Sequence, residues 1–272
     1  MQQPRFEELD WNLMYQRARQ EKSWKSKGAA DWDRKADSFA ERTERSVYTE
    51  KFLALLRPRK NWSVLDVGCG PGTLALPLAR RVERVTALDF SGRMLDILKE
   101  RAARAHLGNI TTCHAGWGDD WQTLGIGRHD IAIASRSLAV ADLGAALEQL
   151  SRHARCRVVI TDRVRHGPFD PDAFAAVGRL LQPGPDFIYT VNLLYRMGYL
   201  PTVEYIVLEE EMVYRSLEDA VESYRWMFRD LRAEEEKRLQ KYVRSITTSA
   251  DNGSLVLRRI HVPTWAFISW RP

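Results

Sequence analysis

A glycine-rich segment directly after an apolar run is the part of the sequence most able to do chemistry. Residues 64–74 read Val-Leu-Asp-Val-Gly-Cys-Gly-Pro-Gly-Thr-Leu, which predicts a buried strand, a tight turn and the start of a helix. Gly68, Gly70 and Gly72 lack a Cβ, so their backbone amides can approach a bound molecule closely. At the carboxyl edge of a parallel sheet, such a turn builds a nucleotide-binding site.

The spacing of this turn distinguishes between nucleotide ligands. A dinucleotide fingerprint has the spacing Gly-x-Gly-x-x-Gly, whereas this chain has Gly-x-Gly-x-Gly with Asp66 two residues before the first glycine. A carboxylate at that point would lie beside the phosphates of a dinucleotide, but it suits a cationic sulfonium ligand that carries an ammonium group. No Gly-Lys-Ser or Gly-Lys-Thr sequence indicates a P-loop.

Asp89 is the second residue to which the pattern assigns a chemical role. It follows the apolar run 85–88 and lies nineteen residues beyond Gly70. A parallel sheet would bring it to the same edge as the glycine turn, where its two oxygens suit the paired hydroxyls of a ribose. An Asp considered alone would more readily be a turn or capping residue. Its combination with the glycine turn at this spacing favours a role in binding ribose.

The elements that must position these residues are short apolar runs alternating with helical stretches. The predicted strands are residues 64–67, 85–88, 110–113, 131–134, 158–161, 203–208 and 265–270, and the clearest helices are 73–81, 94–105 and 143–150. Runs that are apolar on both faces, each followed by a helix, indicate a doubly wound α/β domain. Ser91 is expected to cap the start of the second helix.

The remaining segments read as helical additions to this sheet. Residues 1–60 predict an N-terminal helical cap, with a break at residues 25–29. Residues 61–272 would form the main domain. Amphipathic stripes in its later part predict a helical insertion at about residues 211–250.

The two motifs resemble those of the class I (seven-stranded, Rossmann-like) methyltransferases, which use S-adenosyl-L-methionine. Residues 64–74 look like the first motif of that superfamily, and Asp89 matches the acidic end of its second. The resemblance covers roughly residues 32–162 well and 203–270 loosely. It implies an α/β fold with a doubly wound, mostly parallel seven-stranded sheet, N-terminal helices and a helical cap inserted near the C-terminus.

The resemblance also implies roles for individual residues around the methionine and ribose parts of the cofactor. The turn residues Gly68, Cys69 and Gly70 would contact the methionine part, and Gly72 belongs to the same cofactor-binding turn. Asp66 would orient this turn and the amino group, and Asp89 would bind the ribose. Ser135, together with Arg136, follows the fourth strand and would face the sulfonium and the substrate.

Four further residues are implied on the adenine side. Phe90 would lie beside the adenine, with Met94 as a lining residue. The backbone of Gly116 and Trp117 would face the adenine from the third motif, where this chain departs from the commoner Gly-Asp. A core or surface position is the alternative for Trp117.

The fourth motif limits the acceptor by what it lacks. Residues 134–137 read Ala-Ser-Arg-Ser instead of the Asn/Asp-Pro-Pro-Tyr/Phe of many enzymes that methylate exocyclic amines of bases. The methyl group is already activated by a positive sulfur, so positioning can replace acid-base help. The catalytic residues are therefore not assigned, and His166 is a candidate base whose alternative is a surface or turn histidine.

Composition adds few constraints. The chain is 44% hydrophobic and 28% charged, and it has no apolar run of the roughly 18 residues needed for a membrane span. Its first twenty residues do not resemble a secretory signal, so a cytoplasmic location is expected. The three cysteines are widely spaced, so no metal site is expected. The net charge of +5 is scattered along the chain.

Three functional hypotheses remain open. The favoured one is methylation of a small or medium-sized metabolite beneath a cap rich in aromatic residues. The aromatic residues placed near the cofactor or the substrate are Tyr15, Trp32, Tyr195, Tyr199, Tyr224 and Trp226, each with core packing as its alternative. The basic balance favours instead an RNA or protein methyltransferase. A non-catalytic S-adenosylmethionine-binding protein would also retain the glycine turn.

Overall fold

Two sheets organise the protein. The computed structural model describes residues 5–24, 28–43, 46–209, 211–250 and 254–272. The strands in these ranges are β1 (Ser63–Val67), β2 (Arg84–Asp89), β3 (Ile110–His114), β4 (His129–Ser135), β5 (Ala154–Arg163), β6 (Thr202–Val207), β7 (Met212–Tyr214), β8 (Thr247–Ser249), β9 (Leu255–Leu257) and β10 (Thr264–Trp270).

The larger sheet has seven strands in the order β3-β2-β1-β4-β5-β10-β6. The strands β3, β2, β1, β4 and β5 pair in parallel, whereas β10 pairs antiparallel with both β5 and β6. The prediction of a doubly wound, mostly parallel seven-stranded sheet is therefore confirmed. The fifth strand is longer than the predicted 158–161. Its early residues include Arg155 and Arg157, so they do not form part of an apolar run and were not predicted as strand.

Helices cover both faces of this sheet. The helices in the described ranges are α1 (Trp11–Glu21), α2 (Ala29–Thr43), α3 (Val47–Leu56), α4 (Ala75–Ala79), α5 (Gly92–Arg104), α6 (Leu143–His153), α7 (Pro171–Val177), α8 (Phe187–Arg196), α9 (Leu217–Arg225) and α10 (Ala233–Ser245). All five residues of β1 are buried. Val64 belongs to the core on one face, and Leu65 and Val67 belong to the core on the other. Burial on both faces explains the continuous apolar runs.

The directions of β6 and β10 determine where the inserted segment, the chain between Val207 and Thr264, joins the larger sheet. Because β6 runs parallel to β5 and β10 runs antiparallel to both, β6 ends and β10 begins at the carboxyl edge of the parallel strands. Thr264 pairs with Val207 at that edge. The chain between these two residues therefore leaves and re-enters the sheet at the same edge as the turn that follows β1, with β4 and β5 in between.

The inserted segment contains more than helices. Strands β7, β9 and β8 form a small antiparallel sheet. It packs with α9, α10 and the earlier helix α7 around buried aromatic and aliphatic side chains. The boundaries 1–60, 61–272 and 211–250 stay predictions. Within the described ranges, no helix is long and apolar enough to cross a membrane.

Candidate active site

The turn after β1 has the backbone conformation that its glycines allow. Gly68, Gly70 and Gly72 have φ values of +71°, +54° and +88°, a region that L-residues with a Cβ rarely adopt. The amides of Gly68 and Cys69 both donate to the carbonyl oxygen of Leu88, at 2.8 and 2.9 Å. These bonds fasten the turn to the end of β2.

A second contact fixes the turn from the side of β4. A Cβ added to Gly68 would overlap the Cβ of Ser137. The Ser137 hydroxyl donates a 2.6 Å hydrogen bond to the carbonyl oxygen of Val67. Sequence reasoning did not single out Ser137, since a serine in a loop gives no signal of such a close approach.

The structure brings Asp89 to the glycine turn. Its Oδ2 accepts a 2.8 Å hydrogen bond from the Gly70 amide, and its Oδ1 accepts one of 2.9 Å from the Ser91 amide. The side chain is buried, which raises its pKa. Ser91 caps α5 as predicted, accepting from the Met94 amide at 3.2 Å.

Asp66 is a buried carboxylate, and one of its two oxygens accepts no hydrogen bond from the described residues. It is only 1% exposed, and its Oδ2 has no hydrogen-bond partner among the described residues. Burial, with a smaller effect from the Asp89 charge, raises its pKa to about 7. An unpaired buried acceptor is costly unless a donor satisfies it. A cationic ammonium group is such a donor, so this residue fits the amino end of the expected cofactor.

The residues predicted to surround adenine lie near one another. A Cβ on Gly116 would be 3.5 Å from the Cβ of Phe90, and Phe90 is 39% exposed. The Gly116 amide donates to Asp119 Oδ2 at 2.7 Å, a partner that the sequence analysis missed. The Trp117 indole donates to the carbonyl oxygen of Ser137 at 3.1 Å, which links the loop after β3 to the loop after β4.

Met94 and the N-terminal helix α2 lie against the same edge. Met94 is 2% exposed and packs with Ala36, Ala40 and Ile97 between α2 and α5, so its role as a lining residue stays a prediction. In the same region Phe39 comes within 3.8 Å of where a Gly70 Cβ would lie. Helix α2 therefore covers the glycine turn. Trp32 on this helix packs against Phe39, and its place near the cofactor stays a prediction.

Ser135 belongs to a network of three hydroxyl groups. The Tyr48 hydroxyl lies 2.6 Å from Ser135 Oγ and 2.6 Å from Thr161 Oγ1. Burial raises the pKa of Tyr48, so its phenol stays protonated and can donate. The Arg136 guanidinium lies 4.0 Å over the Tyr48 ring. Neither Tyr48 nor Thr161 was predicted, because they meet only through the packing of α3 on the sheet.

The candidate base His166 lies at the junction with the inserted segment. It is half-buried, and its ring is 5.7 Å from that of His261. Burial, with a smaller effect from His261, lowers its pKa, so its ring is neutral near pH 7 and able to accept a proton. The Nδ1 atom has no partner in the described part of the chain. Its role as a base stays a prediction.

The other aromatic residues predicted near the cofactor (Tyr15) or in the substrate wall (Tyr195, Tyr199, Tyr224 and Trp226) are scattered. The Tyr15 hydroxyl lies 3.1 Å from the carbonyl oxygens of both Leu138 and Val140 and shares its one proton between them, so α1 covers the loop after β4. The other four were placed more loosely by the sequence. Tyr195 packs on Phe6, Tyr199 on Trp270, Tyr224 is buried in the inserted segment, and Trp226 is partly exposed there.

A cleft of about 540 Å³ lies away from this edge, between α6 and the loop that follows β3. It shares only Trp117 with the predicted cofactor residues. Its polar groups are largely engaged locally, as in the ion pair of Arg152 with Glu148 and the 3.2 Å bond from Gln149 to the Asp119 carbonyl oxygen. Among the described residues, no cluster of three or more His, Cys, Asp or Glu could hold a metal ion.

Comparisons with known proteins agree with this site. A family described as "Methyltransferase domain" matches residues 64–157, which contain every predicted cofactor residue. A protein of Haemophilus influenzae described as uncharacterized is 34% identical over 214 residues, covering 78% of this chain and 79% of that protein.

Two further relatives carry descriptive names. The magnesium-protoporphyrin O-methyltransferase of Rhodobacter capsulatus is 33% identical over 101 residues, which cover 36% of this chain and 43% of that enzyme. The chain thus spans less than half of this relative. The crystal structure of a SAM-dependent methyltransferase from Aquifex aeolicus is 18% identical, covers 67% of this chain and 93% of its own, and has a TM-score of 0.51. This last likeness concerns the fold alone.

Proposed function

This chain belongs to the class I S-adenosylmethionine-dependent methyltransferases, and we propose that its methyl acceptor is a small or medium-sized metabolite. Helices α1 and α2 lie over the loop after β4 and over the glycine turn at the carboxyl edge of the sheet, and the segment between Val207 and Thr264 leaves and re-enters the sheet at the same edge. A covered crevice suits a small acceptor better than a polymer. The name of the Rhodobacter capsulatus relative, which gives magnesium protoporphyrin as its acceptor, supports the same class.

One observation supports this placement of the cofactor above all: Asp66 has a carboxylate oxygen with no hydrogen-bond partner among the described residues. Asp66 directly precedes the glycine turn, which Asp89 holds through the Gly70 amide. We place the amino group of S-adenosylmethionine at Asp66 and its ribose at Asp89. The adenine would then lie among Phe90, Gly116 and Trp117, which the structure brings together. A cation beside Asp66 would satisfy its free oxygen and return the carboxyl to its charged form.

The bound cofactor supplies a methyl group that a positive sulfur has already activated. The residues of the chain then have to align a nucleophile and exclude water, and alignment alone can contribute several kcal/mol, on the order of 7–11 in well-oriented systems. Ser135 is the half-buried last residue of β4, and we place it beside the sulfonium and the acceptor. Tyr48 is a positioning residue, because its hydroxyl holds Ser135 Oγ at 2.6 Å.

The test uses S-adenosylmethionine labelled in its methyl group and a bacterial extract separated into small molecules, nucleic acid and protein. Label transferred to the small-molecule fraction supports the proposal, and an Asp89→Ala variant should transfer much less. Label in the nucleic-acid fraction alone would contradict the proposal. If the protein also bound RNA with an affinity that fell steeply as salt was added, the chain would be an RNA methyltransferase instead. Label in protein alone would overturn it as well.

A further inference from the structure

The backbone of Arg136 is held in a conformation that arginine rarely adopts. Arg136 directly follows β4 and has a φ of +57°, in the left-handed region that is strained for a residue with a Cβ. Its amide shares one proton between two acceptors of Thr161, the carbonyl oxygen at 3.3 Å and Oγ1 at 3.1 Å. The end of β5 therefore holds this bend, and strain maintained in this way is typical of functional sites.

Two aromatic rings position the guanidinium of Arg136. Its central carbon lies 4.0 Å from the centroid of the Tyr48 ring and 5.7 Å from the centroid of Trp265. Both distances are those of cation–π contacts. The two rings are themselves buried, and their centroids are 6.4 Å apart. Stacking on a ring uses the face of the guanidinium plane, so the N–H groups at its rim stay available.

The guanidinium group of Arg136 is unpaired. The residue is exposed, and its side chain forms no ion pair and no hydrogen bond within the part of the chain that the structure describes. Arg163, at the end of the neighbouring strand β5, differs because it donates to the carbonyl oxygens of Pro183 and Pro185. The N–H groups of Arg136 are therefore open to a ligand, whereas the terminal nitrogens of Arg163 are occupied.

The stacked side chain lies on the side of the crevice away from the proposed ribose. Asp66 and Asp89 lie on β1 and β2, whereas Trp265 lies on β10. The sheet order puts β10 three strands from β1, on the side opposite to β2, which is about 14 Å at the usual spacing between strands. Trp265 also follows Thr264, where the inserted segment re-enters the sheet. The guanidinium is therefore on the side where we place the acceptor.

The charges at this edge favour an anion. The proposed function puts a sulfonium beside Ser135, and Arg136 is the next residue. Two unpaired cations at one site repel each other, while a carboxylate between them is attracted by both. A cationic acceptor would meet the opposite effect, since like charges brought together oppose binding.

We propose that the guanidinium of Arg136 binds a carboxylate group of the methyl acceptor. A planar carboxylate matches the fork of N–H donors, which can form two parallel charge-assisted hydrogen bonds with it. This inference rests on the proposed function, because it takes the acceptor to be a small molecule in the same crevice. It narrows that acceptor to an acid, and it gives Arg136 a role in acceptor choice that is separate from cofactor binding.

The first experiment removes carboxylates from the acceptor pool. The small-molecule fraction of a bacterial extract is treated with a carbodiimide and ammonia, which converts carboxylates to neutral amides, and a matched portion receives ammonia alone. We expect transfer of the labelled methyl group to the amidated portion to fall at least about tenfold, as the loss of charge-assisted bonds predicts. Unchanged transfer overturns the inference. Loss after phosphatase treatment but not after amidation also overturns it, in favour of a phosphate.

Variants test Arg136 itself. Arg136→Asn removes the charge and keeps the bend, because asparagine tolerates a positive φ. The amount of untreated fraction needed for half-maximal transfer should rise about tenfold or more, and Arg136→Lys, which keeps the charge and loses the fork, should lie between. Arg59→Asn is the matched control, because Arg59 is also exposed and lies 5.5 Å over the Trp62 ring, before β1 at the opposite edge of the sheet. Equal effects of Arg136→Asn and Arg59→Asn overturn the inference.

Two binding measurements identify the owner of the carboxylate. Calorimetry should give the same Kd of S-adenosylhomocysteine for the wild-type protein and Arg136→Asn. A weakened Kd with a normal dependence on the acceptor would assign the carboxylate to the cofactor and overturn the inference. In the protein saturated with S-adenosylhomocysteine, ligand-observed NMR should show that benzoate binds more tightly than benzamide. Arg136→Asn should lose this preference and Arg59→Asn should keep it, and equal binding of the two probes to the wild-type protein contradicts the inference.

Failure of the proposed function gives a different result. If the wild-type protein does not bind S-adenosylhomocysteine, or transfers no label to the untreated fraction, the proposed function fails. If label is transferred and the transfer survives amidation, this inference alone fails.

Discussion

The backbone amide of Gly70 donates a 2.8 Å hydrogen bond to Oδ2 of Asp89. This bond joins the turn after β1 to the end of β2, while the other Asp89 oxygen holds the amide of Ser91 at the start of α5. One carboxylate thus shapes the turn, begins a helix and faces the proposed ribose. Its removal should therefore affect cofactor binding more than global stability, because α5 keeps its Ser91 cap.

Asp89→Ala should weaken binding of S-adenosylhomocysteine by about 10- to 100-fold. The ribose loses charge-assisted hydrogen bonds, each worth about 1.5–3 kcal/mol, and the Gly70 amide loses its acceptor. Titration calorimetry measures the change. Asp96→Ala, on the exposed face of the same helix, is the matched control and should bind normally. Unchanged affinity in Asp89→Ala would remove the ribose assignment.

Binding of the cofactor should depend on pH through Asp66. Its pKa in the free protein is raised to about 7, so below that pH it is protonated and cannot pair with an ammonium group. We expect the affinity for S-adenosylhomocysteine to fall by up to about tenfold for each pH unit between 7 and 5. Calorimetry at several pH values tests this. Asp66→Asn should bind more weakly and lose this dependence, and a variant that keeps the full pH profile would contradict the assignment.

The same carboxylate should destabilise the ligand-free protein above neutral pH. The Asp66 pKa is about 7 when folded, against an ordinary value of 3.8, so between these values the folded state binds more protons than the unfolded state. This group's contribution to stability is therefore complete below about pH 4 and is lost as the pH rises through 7. Asp66→Asn should raise the free energy of unfolding at pH 8 by up to about 4 kcal/mol, at about 1.4 kcal/mol per pKa unit. Denaturant melts of the ligand-free protein measure it, and a less stable variant at pH 8 would refute the prediction.

Gly68→Ala should destabilise the protein by about 2–4 kcal/mol. The new Cβ would overlap the Cβ of Ser137, and its φ of +71° is strained for alanine. Gly108→Ala is the control, because nothing lies within 4 Å of its added Cβ. Adding Ser137→Gly to Gly68→Ala should recover the overlap cost and leave the backbone cost, together with the cost of losing the Ser137–Val67 hydrogen bond. Chemical denaturation of the four proteins gives the comparison, and no loss in Gly68→Ala would show that the turn can rearrange.

Tyr48→Phe should cost about 1–2 kcal/mol of stability, because it leaves Ser135 and Thr161 without their 2.6 Å partner. The 3.3 Å bond between those two hydroxyls and the 3.1 Å bond from the Arg136 amide to Thr161 Oγ1 remain. If Tyr48 positions Ser135, kcat should fall while the Kd of S-adenosylhomocysteine is unchanged. Tyr205→Phe, at an exposed position, is expected to change neither quantity. A variant with normal kcat would leave Tyr48 a purely structural role.

The sequence was sufficient to predict the sheet and the meeting of Asp89 with the glycine turn. Both follow from local patterns, since a run apolar on both faces requires cover on both sides and parallel strands end at one edge. The Ser91 cap was equally local. These features depend on spacing along the chain and on backbone geometry, with no need for knowledge of distant neighbours.

Other features depend on contacts between distant residues and gave no signal. Tyr48 reads as one more apolar position of a helix until α3 packs on the sheet and brings it to Ser135. Strands β7, β8 and β9 have three residues each, too few to show an alternating pattern. Asp119, which holds the Gly116 amide, looks like any acid in a polar loop.

The pairing of Val207 with Thr264 has a consequence for how such an enzyme can diversify. The entire inserted segment begins and ends at two neighbouring positions on adjoining strands, so a short hairpin turn would close the sheet in its place. Mutations, enlargements or wholesale exchange of that segment need not disturb the strands that carry Asp66 and Asp89. With the acceptor placed beside this segment, as proposed, acceptor choice and methyl-donor binding can be inherited separately, with each altered while the other is conserved.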